Sequence, residues 1–166
     1  AAATITQKSI TLNPGTLAVT SKVYDAATTS TLTGAATAAN GATTSSDGKY
    51  YTGDTVNITG TAVGTFADAN VGSSKAVTIT GVTVSNNNYS VVQPTGITGT
   101  ITAKTLTVSG ITAANKDFDG TTAATVSTSG AVYSGKVTGD SVTVSATGIF
   151  ASAAVGTGKT VNLNNT

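Results

Sequence analysis

Hydrophobic and polar residues alternate with a period of two through much of the chain. That period marks strands with one buried and one wet face. In "TITQKSITL" (4–12) Ile5 stands opposite the face of Thr4 and Thr6. In "DTVNIT" (54–59) Val56 and Ile58 share one face, and Thr55, Asn57 and Thr59 share the other. In "KAVTITGVTV" (75–84) Val77 and Ile79 are in phase, Gly81 shifts the phase, and Val82 and Val84 follow. A slip of one residue turns every side chain over, so a bulge or bend is predicted at Gly81. "KTLTVSG" (104–110), "DSVTVSA" (140–146) and "KTVNL" (159–163) carry the same alternation. No window has a helical period, and Ala-rich "AATAANGA" (35–42) is broken by Asn and Gly. Short strands between Gly, Asn and Asp turns predict an all-β fold made of antiparallel, immunoglobulin-like β-sandwich domains. A β-grasp sheet is the alternative and would need a crossing helix.

The pattern is written twice. "TITQKSITL" (4–12) matches "TITAKTLTV" (100–108), and "KVYDAATTS" (22–30) matches "KDFDGTTAA" (116–124). "GDTVNITG" (53–60) matches "GDSVTVSA" (139–146), and "GTFADANVGSSKAVTI" (64–79) matches "GIFASAAVGTGKTVNL" (148–163). Self-similarity in constant order marks a repeat architecture. The reading is a tail strand of a preceding repeat at 1–12, a first repeat at 13–104 and a C-terminally truncated second repeat at 105–166. The two repeats are expected end to end, with "GTITAKTLTV" (99–108) as a nearly continuous linking strand. The extra residues of the first copy around 37–48 read as a longer surface loop. Thr166 aligns with Val82, so the second repeat lacks about two strands. Residues 4–12 of a neighbouring molecule are the expected complement, and the competing outcome is that they fold back on the first repeat.

Composition narrows the functions. The chain has 37 Thr, 25 Ala and 19 Gly, and neither Cys, His, Met, Trp, Arg nor Glu. Eight Lys and seven Asp give a net charge of +1. Scattered Lys without Arg argues against a nucleic-acid groove. No apolar run approaches the roughly 20 residues of a membrane helix, and "AAATITQK" predicts no signal peptide. Val, Ile and Ala dominate the apolar set, so a thin core and a modest stability of about 5 kcal/mol per module are expected. Ser nucleophiles would have only Lys or Asp as a base, so an enzyme is not expected.

The residues common to both copies are Lys22, Tyr24, Asp25 and Ala26 with Lys116, Phe118, Asp119 and Gly120; Asp54 with Asp140; and Phe66 with Phe150. Together with Lys75, Lys159, Asn88-Tyr89 and "GTITAK" (99–104), they resemble the YDG repeat of bacterial filamentous-haemagglutinin-like adhesins and other large surface exoproteins. Phe118 and Ala26 depart from the Tyr and Gly of that signature. The resemblance implies a secreted or surface-anchored bacterial stalk or spacer module, extending a binding tip, with neighbouring repeats of the same polypeptide as its partners. No cofactor, nucleic acid or membrane insertion is implied.

The candidate positions divide by chemistry. Asp25 and Asp119 suit Asx-type turns; a calcium loop is the competing reading of "KDFDGTT" (116–122). Tyr24, Phe66, Phe118 and Phe150 are expected as core anchors. Asp54 and Asp140 follow a Gly and suit turns; a sharper reading pairs them with Lys22 and Lys116. A Lys–Asn cross-link between Lys22 or Lys75 and Asn70 or Asn88 is a further candidate. Tyr50 and Tyr51, beside the long loop, are the candidates for contact with a glycan or host surface, the alternative function. Asn57, Asn88 and Asn164 each begin a glycosylation sequon.

Overall fold

A computed structural model describes residues 1–165, which fold as two compact units, one over 1–104 and one from 105 onward. The glycosylation sequon at Asn164 reaches Thr166 and lies outside the described residues. Every regular element among the described residues is a strand, so the chain is all-β and the helix that a β-grasp fold needs is absent from them.

Unit 1 contains β1 (Lys8–Asn13), β2 (Ala18–Thr20), β3 (Lys22–Val23), β4 (Thr29–Thr33), β5 (Thr37–Ala38), β6 (Ile58–Phe66), β7 (Gly72–Val84), β8 (Tyr89–Val92) and β9 (Thr98–Thr102). One sheet has the order β5-β1-β8 and the other β2-β4-β6-β7-β9-β3. Ile10 and Leu12 of β1 and Tyr89 of β8 pack with Phe66, Val77, Ile79, Val82 and Ile101 of the larger sheet in one core. Alternation places these residues inward, as in "KAVTITGVTV", where Val77, Ile79 and Val82 are buried. The phase shift at Gly81 is a bulge: Gly60 pairs with Val82 and Val63 with Thr80, so two residues of β6 oppose one of β7. Gly81 has φ +81°, and a Cβ there would stand 2.4 Å from the carbonyl oxygen of Thr61.

Four sequence expectations are corrected. The sheets are not purely antiparallel: β1 runs parallel to β8 and β3 parallel to β9. Residues 1–12 are not simply the tail of another repeat, because 8–11 pair with 89–92 and 12–13 with 37–38 inside unit 1. The strand expected over 99–108 is interrupted, with β9 ending at Thr102 and the next strand starting at Thr107. The strand expected from Asp54 begins only at Ile58.

Unit 2 contains β10 (Thr107–Ser109), β11 (Thr112–Ala113), β12 (Ala123–Ala124), β13 (Val126–Ser127), β14 (Val132–Ser134), β15 (Ala146–Phe150) and β16 (Val161–Asn165). Its pairings copy those of unit 1 position by position. Val19 pairs with Leu32 in β2–β4, and Ala113 pairs with Val126 in β11–β13. Thr29 pairs with Thr65, and Ala123 with Ile149. Phe66 pairs with Val77, and Phe150 with Val161. Its apolar side chains are far less covered: Phe66 is 2% exposed whereas Phe150 is half-buried, and Ile79 is 2% exposed against 43% for Leu163.

Candidate functional site

The doubled phrase folds into a lysine-stapled turn, built the same way in each unit. The Lys22 ammonium donates to the carbonyl oxygens of Ala27 and Thr29, both at 3.1 Å, and to Asp25 Oδ1 at 2.7 Å. The Lys116 ammonium donates to the carbonyls of Thr121 and Ala123, both at 3.1 Å, and to Asp119 Oδ1 at 2.7 Å. In both cases the acceptors lie three, five and seven residues after the lysine. Three donors on each ammonium match these three acceptors, and Thr121 Oγ1 adds a fourth contact in unit 2 at 2.9 Å.

The aspartate closes the turn from the other side. Asp25 Oδ1 accepts from the N–H of Ala27 at 2.9 Å, and Asp119 Oδ1 from the N–H of Thr121 at 2.8 Å. Each is an Asx turn. The Lys116 ammonium, then the N–H and hydroxyl of Thr121, hold the Asp119 carboxyl down at about 2. Lys22, then the Ala27 N–H, lower Asp25 in the same way. The residue after each aspartate is left-handed: Ala26 has φ +63° and Gly120 φ +75°. The next residues are handed to the sheet, where the N–H of Phe66 donates to Thr28 and that of Phe150 to Thr122, both at 2.8 Å.

Other expected positions fall differently. Asp54 and Asp140 do not pair with Lys22 and Lys116, whose donors are taken within their own turns. The Asp54 carboxylate accepts from the hydroxyl of Tyr89, which in turn accepts from the N–H of Tyr51 at 3.0 Å. Burial, then Asp54, raise the Tyr89 phenol above its ordinary value. The N–H of Asp54 donates to Tyr51 at 3.1 Å and that of Asp140 to Val137 at 3.2 Å, turns opened by Gly53 at φ +101° and Gly139 at φ +96°. Lys75 pairs with Asp68 at 2.7 Å, and Lys159 donates to Ser152 Oγ at 2.6 Å. The Lys22 ammonium is taken up within its own turn, whereas Lys75 and the N–H of Asn70 meet on the same oxygen of Asp68, at 2.7 and 2.8 Å. Of the core anchors, Phe66 is buried and Tyr24 half-buried against the core, but Phe118 is 69% exposed. Phe118 loses its cover because no strand among the described residues of unit 2 stands where β9 stands over Tyr24.

Tyr50 packs partly against the core, so only Tyr51, 43% exposed, presents a ring to solvent. The Lys8 ammonium sits 5.3 Å from the centre of that ring. Sequence reasoning missed the anchor behind it. Lys8 bonds Asp47 Oδ1 at 2.9 Å and the carbonyl of Thr44 at 2.7 Å. Asp47 also accepts from the N–H groups of Thr43, Thr44 and Lys49, which pins the long loop. The lysine shared by "QKSITL" and "AKTLTV" was the available signal; its acceptor, 39 residues away, had none.

Among the described residues no cluster of three or more acidic side chains is placed to hold a metal, and no helix is long and apolar enough to cross a membrane. Comparison with known families matches the YDG domain twice, over residues 6–96 and 102–166. No curated protein matches the chain, and no solved structure matches it.

Proposed function

Since the chain belongs to the YDG domain family, in two consecutive copies, we propose that it is a structural spacer of a secreted or surface-anchored bacterial adhesin, of the filamentous-haemagglutinin-like kind. The observation that carries this reading is the duplicated geometry. The same turn, with the same acceptors at the same spacing, and the same strand register are built twice in succession. A catalytic or ligand site is under no pressure to appear in duplicate, whereas a module that adds length is. The duplicated chemistry is spent on the backbone itself, since each lysine and aspartate satisfies main-chain carbonyls and N–H groups. In this reading the chain does no chemistry, and its partners are neighbouring repeats of the same polypeptide.

The test replaces these 166 residues, within the parent adhesin, by two unrelated β-domains of similar length. Attachment of the cells should be retained. Loss of attachment with the adhesin still displayed would sink the spacer reading.

A second reading rests on Tyr51, which stands on an open groove with Gln7, Ser9, Ser45 and Gly48. Carbohydrate rings stack on exposed aromatic faces, and a glycan or host surface is the ligand this groove suits. Reproducible hits on a glycan array, lost in Tyr51→Ala, would establish this role over that of a spacer.

A further inference from the structure

The long loop of unit 1 carries one chemically reactive pair of residues. Of the chain's eleven asparagines only Asn40 is followed by a glycine. Asn40 is exposed, and its side-chain amide has no hydrogen-bond partner among the described residues. Gly41 stands at φ +82°, and no atom lies within 4 Å of the place a Cβ would take. Tyr50 is held on both sides of this pair. Its N–H donates to the carbonyl of Ala39, and its carbonyl accepts from the N–H of Ala42, both at 3.0 Å. The Tyr50 carbonyl thus takes its bond from Ala42, and the Gly41 nitrogen between the two anchors stays uncommitted.

A main-chain nitrogen with no side chain beside it can reach the Cγ of the preceding asparagine, an approach that a Cβ on the next residue hinders. Asparagine is among the thermolabile residues because its amide nitrogen can leave. The other candidates are worse placed. Asn86 is tied through both side-chain atoms, with Oδ1 accepting from the N–H of Asn88 and Nδ2 donating to the carbonyl of Thr55. Asp47-Gly48 and Asp119-Gly120 have the same spacing, but their carboxylates are paired with Lys8 and Lys116 at 2.9 and 2.7 Å. An ionised carboxylate is a poor target for an attacking nitrogen.

We propose that Asn40 is a site of spontaneous deamidation, and that the change releases the Tyr50 end of the long loop. The Gly41 nitrogen loses its proton to solvent and attacks Asn40 Cγ. The new C–N bond closes a five-membered succinimide, and the side-chain nitrogen leaves as ammonia. Water then opens the ring at either carbonyl, giving aspartate, or isoaspartate where the main-chain carbonyl is opened. The isoaspartyl product carries the main chain through Cβ and is one methylene longer between Ala39 and Ala42. The two hydrogen bonds to Tyr50 then no longer both fit. Either product takes the net charge from +1 to zero. Unit 2 has no Asn-Gly pair, so the change is confined to unit 1.

The test ages the 166-residue chain at mildly alkaline and mildly acid pH and maps its peptides by mass. The peptide containing Asn40 should gain one mass unit and resolve into two isomers. It should do so faster in alkali, because the attacking nitrogen must lose its proton. Asn40→Gln should hold its mass over the same time, since its longer side chain would have to close a six-membered ring. In the aged chain the amides of Ala42 and Tyr50 should exchange faster by about tenfold or more, the effect of losing about 1.4 kcal/mol, while that of Val77 stays protected. An unchanged mass at Asn40, a gain that appears first at another asparagine, or a product that is aspartate alone overturns the site. Unaltered exchange at Ala42 and Tyr50 in the isoaspartyl chain overturns the release of the loop.

Discussion

Gly99 lies flat on the ring of Phe66: a Cβ at Gly99 would stand 2.9 Å from Phe66 Cε1. The central aromatic of unit 1 is thus covered by bare backbone. Phe66→Ala should cost about 3–5 kcal/mol, the usual range for a buried aromatic. Phe150→Ala, at the half-buried matching position, should cost clearly less. Chemical denaturation of the two variants gives the comparison, and equal losses would contradict the difference in cover.

The left-handed turn after each aspartate should respond in opposite directions to opposite changes. Left-handed backbone costs a residue with a Cβ about 1–2 kcal/mol. Gly120→Ala should therefore destabilise unit 2 by about 1 kcal/mol, although no atom stands within 4 Å of the new methyl. Ala26→Gly should leave unit 1 unchanged or up to about 1 kcal/mol more stable, because relief of strain is offset by the freedom glycine has when unfolded. Thermal melts that move the other way would mean that the turn does not hold these φ values.

Ser30 Oγ is buried with no hydrogen-bond partner among the described residues. Unit 2 has Ala124 at the same register, paired with Gly148 as Ser30 is with Gly64. Ser30→Ala should stabilise unit 1 by about 1 kcal/mol, the penalty of an unsatisfied buried hydroxyl. A loss of stability on this change would show that the hydroxyl is satisfied in solution.

The Asp119 carboxyl should titrate at about 2, below its ordinary 3.8. Its contribution to stability is fully present above the unfolded value and is lost as the pH falls through the folded one. Lys116→Met should raise the midpoint towards the ordinary value without reaching it, since Thr121 still donates through its N–H and hydroxyl. Carboxyl chemical shifts followed against pH measure both midpoints, and a variant midpoint equal to the wild type's would rule out Lys116 as the main cause.

The local features of this fold are legible in the sequence, and the distant ones are not. The alternation through Val77, Ile79 and Val82 marks β7, and Gly81 marks its bulge, because both depend only on neighbours in the chain. The duplicated phrase marks the turns, but the carbonyls that hold Lys22 and Lys116 belong to residues whose identity is irrelevant to the bond. Phe118 looks like Tyr24 in sequence, and the cover of Tyr24 depends on a distant strand, β9, that has no counterpart among the described residues of unit 2. The parallel pairing of Lys8 with Tyr89 joins residues 81 apart, and nothing near either of them announces it.

That parallel pairing decides how unit 1 meets mechanical force. The polypeptide enters through β1 and leaves beyond β8, which run in the same direction. The leaving end pulls on β9, the strand that follows β8, and tension on the entering end draws β1 back along its own axis against β8. Their four residue pairs, from Lys8–Tyr89 to Thr11–Val92, are then loaded together in shear. An antiparallel hairpin pulled from its open end would instead unzip bond by bond. Resistance to rupture under load is a rate property set by the barrier to unfolding, so a thin core of modest equilibrium stability can still make a joint that yields slowly when pulled.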